Sequence, residues 1–134
     1  MNLLMDTHVI IWAASSPELL ASGLCQKLED PDARLWYSPI SAWEIMLLSE
    51  KGRLALKSSP EVAIRSLFKT LPLQEAPLNF EVAVQSRRIK LPHQDPADRF
   101  IAATALVYGF TLVTADKDLL RCKQVPVLPA KDQV

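Results

Sequence analysis

With 134 residues, 49% apolar and 22% charged, the chain has the balance of a globular protein and not that of a disordered tail. Its length suits one compact domain, residues 1–134, burying roughly two-thirds of its unfolded surface without staples. Fifteen basic and fifteen acidic residues cancel, which excludes capture of a polyanion by overall charge and leaves only local contacts. The densest basic cluster is Arg87, Arg88 and Lys90, which equally suits a solvated helix end where the dipole favours cations. No apolar run approaches the ~18 residues of a membrane span. The start also lacks a basic region followed by a cleavable apolar stretch, so a soluble cytoplasmic protein is expected. Cys25 and Cys122 lie far apart, in no spacing that holds zinc or exchanges disulfides.

Asn2 to Met5 is a short apolar run halted by Asp6, and Val9 to Ala14 continues with helix-compatible residues, so a strand feeds a helix. Ser16, Pro17 and Glu18 supply an N-cap, a first-position proline and a first-turn acid, for a helix over about Pro17 to Leu28. Leu35 to Ser38, bounded by Asp30-Pro31-Asp32 and by Pro39, reads as a second strand. Ser41 to Lys51 reads as a helix buried on a broad face and stopped by Gly52, with Ser41 and Glu44 spaced as a capping box. The Ser59-Pro60-Glu61 start opens a helix to about Lys69. Leu73 to Ala76 is a short third strand, Asn79 to Ile89 a helix capped by Asn79, and Pro96 to Tyr108 a helix closed by Gly109. Phe110 to Thr114 is a fourth strand and Lys117 to Arg121 a short helix behind Asp116. Val125 to Leu128 is a fifth strand, confined to an edge by Pro126 and Pro129.

Strands alternating with helices imply an α/β fold, three layers α/β/α around a mostly parallel sheet of four or five strands. In such a sheet, strand C-termini and helix N-termini gather at one edge, where ligands usually bind. Four acids map there. Asp6 ends the first strand, Asp116 follows the fourth, Glu44 lies in the first turn after the second, and Asp98 in the first turn of the helix leading to the fourth. Each also has a local explanation. Glu44 completes the capping box, Asp98 belongs to the first turn behind Asp95 and Pro96, Asp116 caps the short helix, and Asp6 turns the chain. Separate caps, however, have no reason to converge.

Converging carboxylates about 4 Å apart repel by about 4 kcal/mol per pair at an effective dielectric of about 20, so a cation belongs among them. An oxygen-only site suits Mg2+ or Mn2+, which leaves positions open for a phosphate oxygen and an attacking water. One or two such ions can lower the pKa of that water and neutralise charge on the phosphate, the chemistry of phosphodiester cleavage.

Four motifs then occur in order: Asn2-Leu3-Leu4-Met5-Asp6-Thr7-His8, Ser38-Pro39-Ile40-Ser41-Ala42-Trp43-Glu44-Ile45, Asp95-Pro96-Ala97-Asp98-Arg99-Phe100-Ile101-Ala102-Ala103-Thr104-Ala105, and Leu112-Val113-Thr114-Ala115-Asp116-Lys117-Asp118. Together they span nearly the whole chain, and it resembles the PIN-domain superfamily, within it the VapC ribonuclease toxins of bacterial toxin–antitoxin pairs. The resemblance implies a PIN fold, metal held by Asp6, Glu44, Asp98 and Asp116, and cleavage of RNA by a metal-activated water. It further implies a homodimer, able to assemble further with a cognate VapB-like antitoxin that inhibits it. Asp6, Glu44 and Asp98 match the family's three main acids and Asp116 the fourth; Thr7 and Thr114 match hydroxyl positions that support the site. The residue before the Asp-Pro step is often basic in the family, whereas Gln94 stands here.

Arg99 offers either a phosphate contact or a partner for Asp95, and Asp95 itself reads as an N-cap. His8 and His93 match no metal spacing and read as structural or surface groups. Trp36 and Trp43 read as core. A phosphoacceptor receiver domain would need a second acid beside Asp6, and a haloacid-dehalogenase phosphotransferase a second aspartate at His8; both are absent. The remaining alternative is a PIN-like module that binds RNA or protein without cutting.

Overall fold

The run Leu3-Leu4-Met5 is fully buried on both faces of β1 (Asn2–Met5) because β1 is the centre of a five-stranded sheet in the computed structural model, which describes residues 1–56 and 58–132. The other strands are β2 (Arg34–Tyr37), β3 (Leu73–Glu75), β4 (Thr111–Thr114) and β5 (Val127–Pro129). Their order is β3-β2-β1-β4-β5 and every pairing is parallel, as the alternation of strands and helices implies. Such a sheet is covered on both faces, so its inner strands are apolar throughout.

Side chains alternate across the sheet and sort the core into two layers. Leu3, Met5, Leu35 and Val113 meet Val9 and Ile10 of α1 (Thr7–Ser15) and Leu24 and Leu28 of α2 (Leu24–Glu29). Leu4 and Leu112 face the other way, onto Ile101, Ala102 and Ala105 of α6 (Pro96–Tyr108) and Leu119 of α7 (Lys117–Leu120). The remaining helices are α3 (Pro39–Glu50), α4 (Pro60–Phe68) and α5 (Phe80–Arg88). Leu67 and Phe68 of α4 join the first layer and Ile40 of α3 the second. Gly109 closes α6 at φ +72, a left-handed conformation that glycine adopts without steric penalty. No helix among the described residues is long and apolar enough to cross a membrane.

Three expectations need correction. The helix over Pro17 to Leu28 is two pieces, a 3-10 turn at Pro17–Leu19 and then α2. Between them, backbone donors that a continuous helix would use internally are taken by the C-terminal segment: Ala21 N–H donates to the Ala130 carbonyl (2.7 Å) and Ser22 N–H to the Asp132 carboxylate (3.1 Å). Secondly, α3 starts two residues before Ser41. Ser38 is its N-cap, accepting from Ile40 N–H at 3.1 Å, with Pro39 in the first position, so Ser41 and Glu44 form no capping box. Thirdly, Trp43 is 47% exposed and not core, whereas Trp36 stacks on Phe110 with ring centroids 4.8 Å apart. Strand ends differ by a residue or two: Ser38, Ala76, Phe110, Val125 and Pro126 fall outside, and Arg34 and Pro129 inside.

The central strand is where lost packing has least room to relax. Leu4→Ala is expected to destabilise the protein by about 2–5 kcal/mol in equilibrium urea unfolding, and a loss below about 1 kcal/mol would contradict this placement.

Candidate active site

Asp6 follows the last residue of β1 with its N–H still paired to the Val113 carbonyl (3.0 Å), so the sheet itself fixes its backbone. Its side chain is pinned from two sides. Oδ1 accepts from Thr7 N–H at 2.8 Å, capping α1, and Oδ2 accepts from the Thr114 hydroxyl at 2.6 Å, across from the end of β4. The same Thr114 oxygen accepts from Asp116 N–H at 3.0 Å, which links the two strand-end acids. Asp116 caps α7, Oδ1 accepting from Asp118 N–H (2.9 Å) and Leu119 N–H (3.0 Å), while Oδ2 takes no part in the cap.

Asp98 stands in the first turn of α6, whose N-cap Asp95 accepts from Ala97 N–H (3.0 Å) and Asp98 N–H (3.3 Å). Glu44 reaches the same edge from the second turn of α3, since helical side chains tilt towards the N-terminus. The Thr7 hydroxyl, whose pull favours ionised Glu44, lies 2.8 Å from Ser41 Oγ, which gives that buried serine its partner. Asp6, Glu44, Asp98 and Asp116 thereby line one cleft of about 400 Å³, with His8, Trp12, Asp95 and Ala115. A larger groove of about 770 Å³ beside α3 and α4 is lined by Met46, Ile64 and Phe68 among others and includes none of these acids.

Gathering charge in this cleft shifts its titration. Burial first, then the charges of Asp95, Asp116, Asp6 and Glu44, push Asp98 up to about 8. Burial also raises Asp6, against the lowering pull of the Thr114 and Thr7 hydrogen bonds. Glu44 is raised by burial and by Asp6 and Asp95, with the Thr7 hydroxyl opposing. Carboxylates that resist ionising together are a donor set whose repulsion a divalent cation relieves, and hard oxygen ligands suit Mg2+ or Mn2+.

His93, read from sequence as structural or surface, joins the site. Its Nε2 lies 3.3 Å from Asp98 Oδ2 and 3.5 Å from Asp118 Oδ2, and with Asp98 and Asp116 it presents ligand atoms within 4.8 Å of one another. Its Nδ1, however, accepts the Asp95 N–H at 3.2 Å, so the neutral ring carries its hydrogen on Nε2, facing the carboxylates. The imidazole is thus oriented with Nε2 towards Asp98. A turn residue two before the N-cap gives no sequence signal for this.

Arg99 overturns both of its sequence readings. It is 6% exposed, and its guanidinium is engaged by backbone carbonyls and not by the Asp95 carboxylate. Nε donates to the Ser86 carbonyl (2.8 Å), Nη1 to His93 (3.0 Å), and Nη2 to Ile89 (2.7 Å) and Arg87 (3.3 Å). Three of these carbonyls are at the C-terminal end of α5, where the helix leaves acceptors unpaired and its dipole is negative. Arg87 and Arg88 are exposed and outside the acid cleft; Arg87 donates to Gln94 Oε1 at 3.0 Å.

Because Arg99→Met removes the donors that four partly or fully buried carbonyls now have, it is expected to destabilise the protein by about 2–4 kcal/mol in chemical denaturation. Arg99→Lys should recover only part of that, since an ammonium cannot copy the planar fork. Equal stability of the three proteins would refute this role.

A family model described as PIN domain matches residues 3–124. Ribonuclease VapC22 of Mycobacterium tuberculosis is 32% identical over 121 residues, covering 88% of this chain and 89% of the relative. Among solved structures, VapBC2 from Rickettsia felis bound to a promoter DNA fragment superposes with a TM-score of 0.73 at 14% identity, covering 98% of this chain and 100% of that one. DNA-bound VapBC from Salmonella typhimurium gives 0.70 at 17% identity, covering 96% and 98%. The two structural likenesses speak for the fold; the family model and the 32% relative go further, and the chain belongs to the PIN-domain family, among its VapC-type members.

Proposed function

We propose that this chain is a metal-dependent endoribonuclease whose Asp6, Glu44, Asp98 and Asp116 hold Mg2+ or Mn2+, and that it acts as the toxin of a toxin–antitoxin pair. The observation that carries this reading is the meeting of four carboxylates from four separate elements in one cleft, with Asp98 pushed up to about 8. A divalent ion bound there would act as a Lewis acid, lowering the pKa of a water and neutralising charge on the phosphate. The chain's own contribution is orientation. Thr7 N–H and the Thr114 hydroxyl hold Asp6, and His93 stands against one oxygen of Asp98, so both acids present fixed oxygens. Asp116, with Oδ1 engaged in its cap, acts through water or a second ion.

The ribonuclease VapC22 supports an RNA substrate, and the solved VapBC complexes support a VapB-like antitoxin as partner. A short reading frame encoding such an antitoxin beside the gene is the corresponding genomic observation, and its absence would count against the toxin role alone.

Purified protein, free of antitoxin, should cleave RNA with Mg2+ or Mn2+ and stop on chelation. Asp6→Asn and Asp98→Asn should each lower the rate about 100-fold or more, since even removal of outer-shell partners lowers metal-site function about 10- to 100-fold. Variants that cut as well as the parent would sink the catalytic reading.

The raised Asp98 also sets a pH dependence for the metal-free protein. Between its ordinary value of 3.8 and about 8, the folded state binds more protons than the unfolded one, so stability is greatest below the lower limit and falls as pH rises through the window. Melting temperature should therefore decline from about pH 4 to 8, less steeply in Asp98→Asn, and added Mg2+ should raise it more at pH 8 than at pH 5. An identical profile in Asp98→Asn would contradict the assignment.

A further inference from the structure

The acid cleft has a second wall that the proposed metal chemistry leaves unused. His8 and Trp12 stand four residues apart on α1, on one face of the helix, with ring centroids 5.9 Å apart and planes tilted by 47°. Both line the same cleft as Asp6, Glu44, Asp98 and Asp116. Trp12 packs partly against the core layer of Leu3 and Met5 yet remains partly exposed, and His8 is exposed. Lys131 Nζ lies over the indole ring, 4.6 Å from its centroid, so a base that stacks on that face takes the place of the ammonium.

A nucleic-acid strand meets an electrostatic problem in this cleft. The chain carries no net charge, the cleft is lined by five carboxylates counting Asp95, and Arg87, Arg88 and Arg99 stay out of its lining. Attraction to a strand must then come partly from surfaces that do not depend on opposite charge. An indole face supplies this, because every nucleobase has a π-face and stacking is largely indifferent to sequence. Among the described residues Trp12 is the one large apolar side chain lining this cleft, and it sits on the helix that Asp6 caps, so its distance from the acids is fixed by a single short element.

We propose that Trp12 is the stacking platform for an unpaired nucleobase next to the scissile phosphate, with His8 one turn closer to the acids along the same face. This rests on the ribonuclease reading for its substrate class. The platform sets the register of the strand: a base seated on Trp12 delivers a neighbouring phosphate to the carboxylates.

The test is a binding cycle that needs no cleavage. Affinity of the full chain for a single-stranded RNA of about a dozen nucleotides is measured with Ca2+ in place of Mg2+, for wild type, Trp12→Phe and Trp12→Leu, against an oligonucleotide set carrying one abasic site at each position in turn. Trp12→Leu, which keeps apolar bulk but no π-face, should weaken binding about tenfold or more, while Trp12→Phe stays within about threefold. At one position the abasic site should weaken wild type by a similar factor and have no further effect in Trp12→Leu. Photo-crosslinking of wild type to RNA bearing 5-iodouridine, mapped by mass spectrometry, should mark Trp12 and needs no variant to fold. Wild-type affinity in Trp12→Leu, a loss equal at every abasic position, no binding of RNA at all, or crosslinks that avoid Trp12 would each overturn the platform. RNA bound through Trp12 but not cut with Mg2+ or Mn2+ would leave the platform standing and remove the ribonuclease reading; cutting with unchanged binding in Trp12→Leu would do the reverse.

Discussion

Like charges forced together at the C-terminal edge of a parallel sheet are the constraint around which this structure is arranged. The sheet brings Asp6 and Asp116 to adjacent strand ends, and α3 and α6 start where they bring Glu44 and Asp98 against them. The repulsion is offset locally and in small steps. Each acid in contact with backbone N–H groups at a helix N-terminus gains from the dipole there, the Thr114 hydroxyl donates to the other oxygen of Asp6, and His93 stands against Asp98. These devices hold the carboxylates in place without neutralising them, which leaves Asp98 with a raised pKa and the cleft with an appetite for a cation.

Much of this was legible because the sheet obeys rules that act at short range in sequence. An apolar run ending in an acid, repeated at Asp6 and Asp116, marks strand ends, and Asp95-Pro96 marks a helix start beyond reasonable ambiguity of a residue or two. The capping roles of Asp95 and Asp116 are read from sequence in the same way. Family resemblance adds what topology alone leaves open, that the four acids form a single set.

What escaped has one physical source, which is contacts between residues distant in sequence. Nothing around Ser16 to Leu28 announces that Ala130 and Asp132 take the donors of Ala21 and Ser22 and break the helix there. Ser41 looks like a cap because its partner is Thr7, 34 residues away, and the true cap, Ser38, stands one residue before a proline that equally reads as a strand boundary. Arg99 is the sharpest case. An arginine beside Asp98 and four residues after Asp95 reads as a phosphate contact or an ion-pair partner, yet here it donates to four carbonyls of a neighbouring helix end and turn, a role visible only when α5 and α6 are seen side by side.

The hydrogen bond between Asp6 and the Thr114 hydroxyl joins residues 108 positions apart. A ribosome must therefore release the chain through Asp116 before β4 can lie beside β1 and the two strand-end acids can meet. Loop closure on that scale comes late in folding, after local helices have formed. Nascent chains that stop short of β4 would carry Asp6, Glu44 and even Asp98 without assembling the cleft, so the arrangement of strands ties the cleft to synthesis through Asp116.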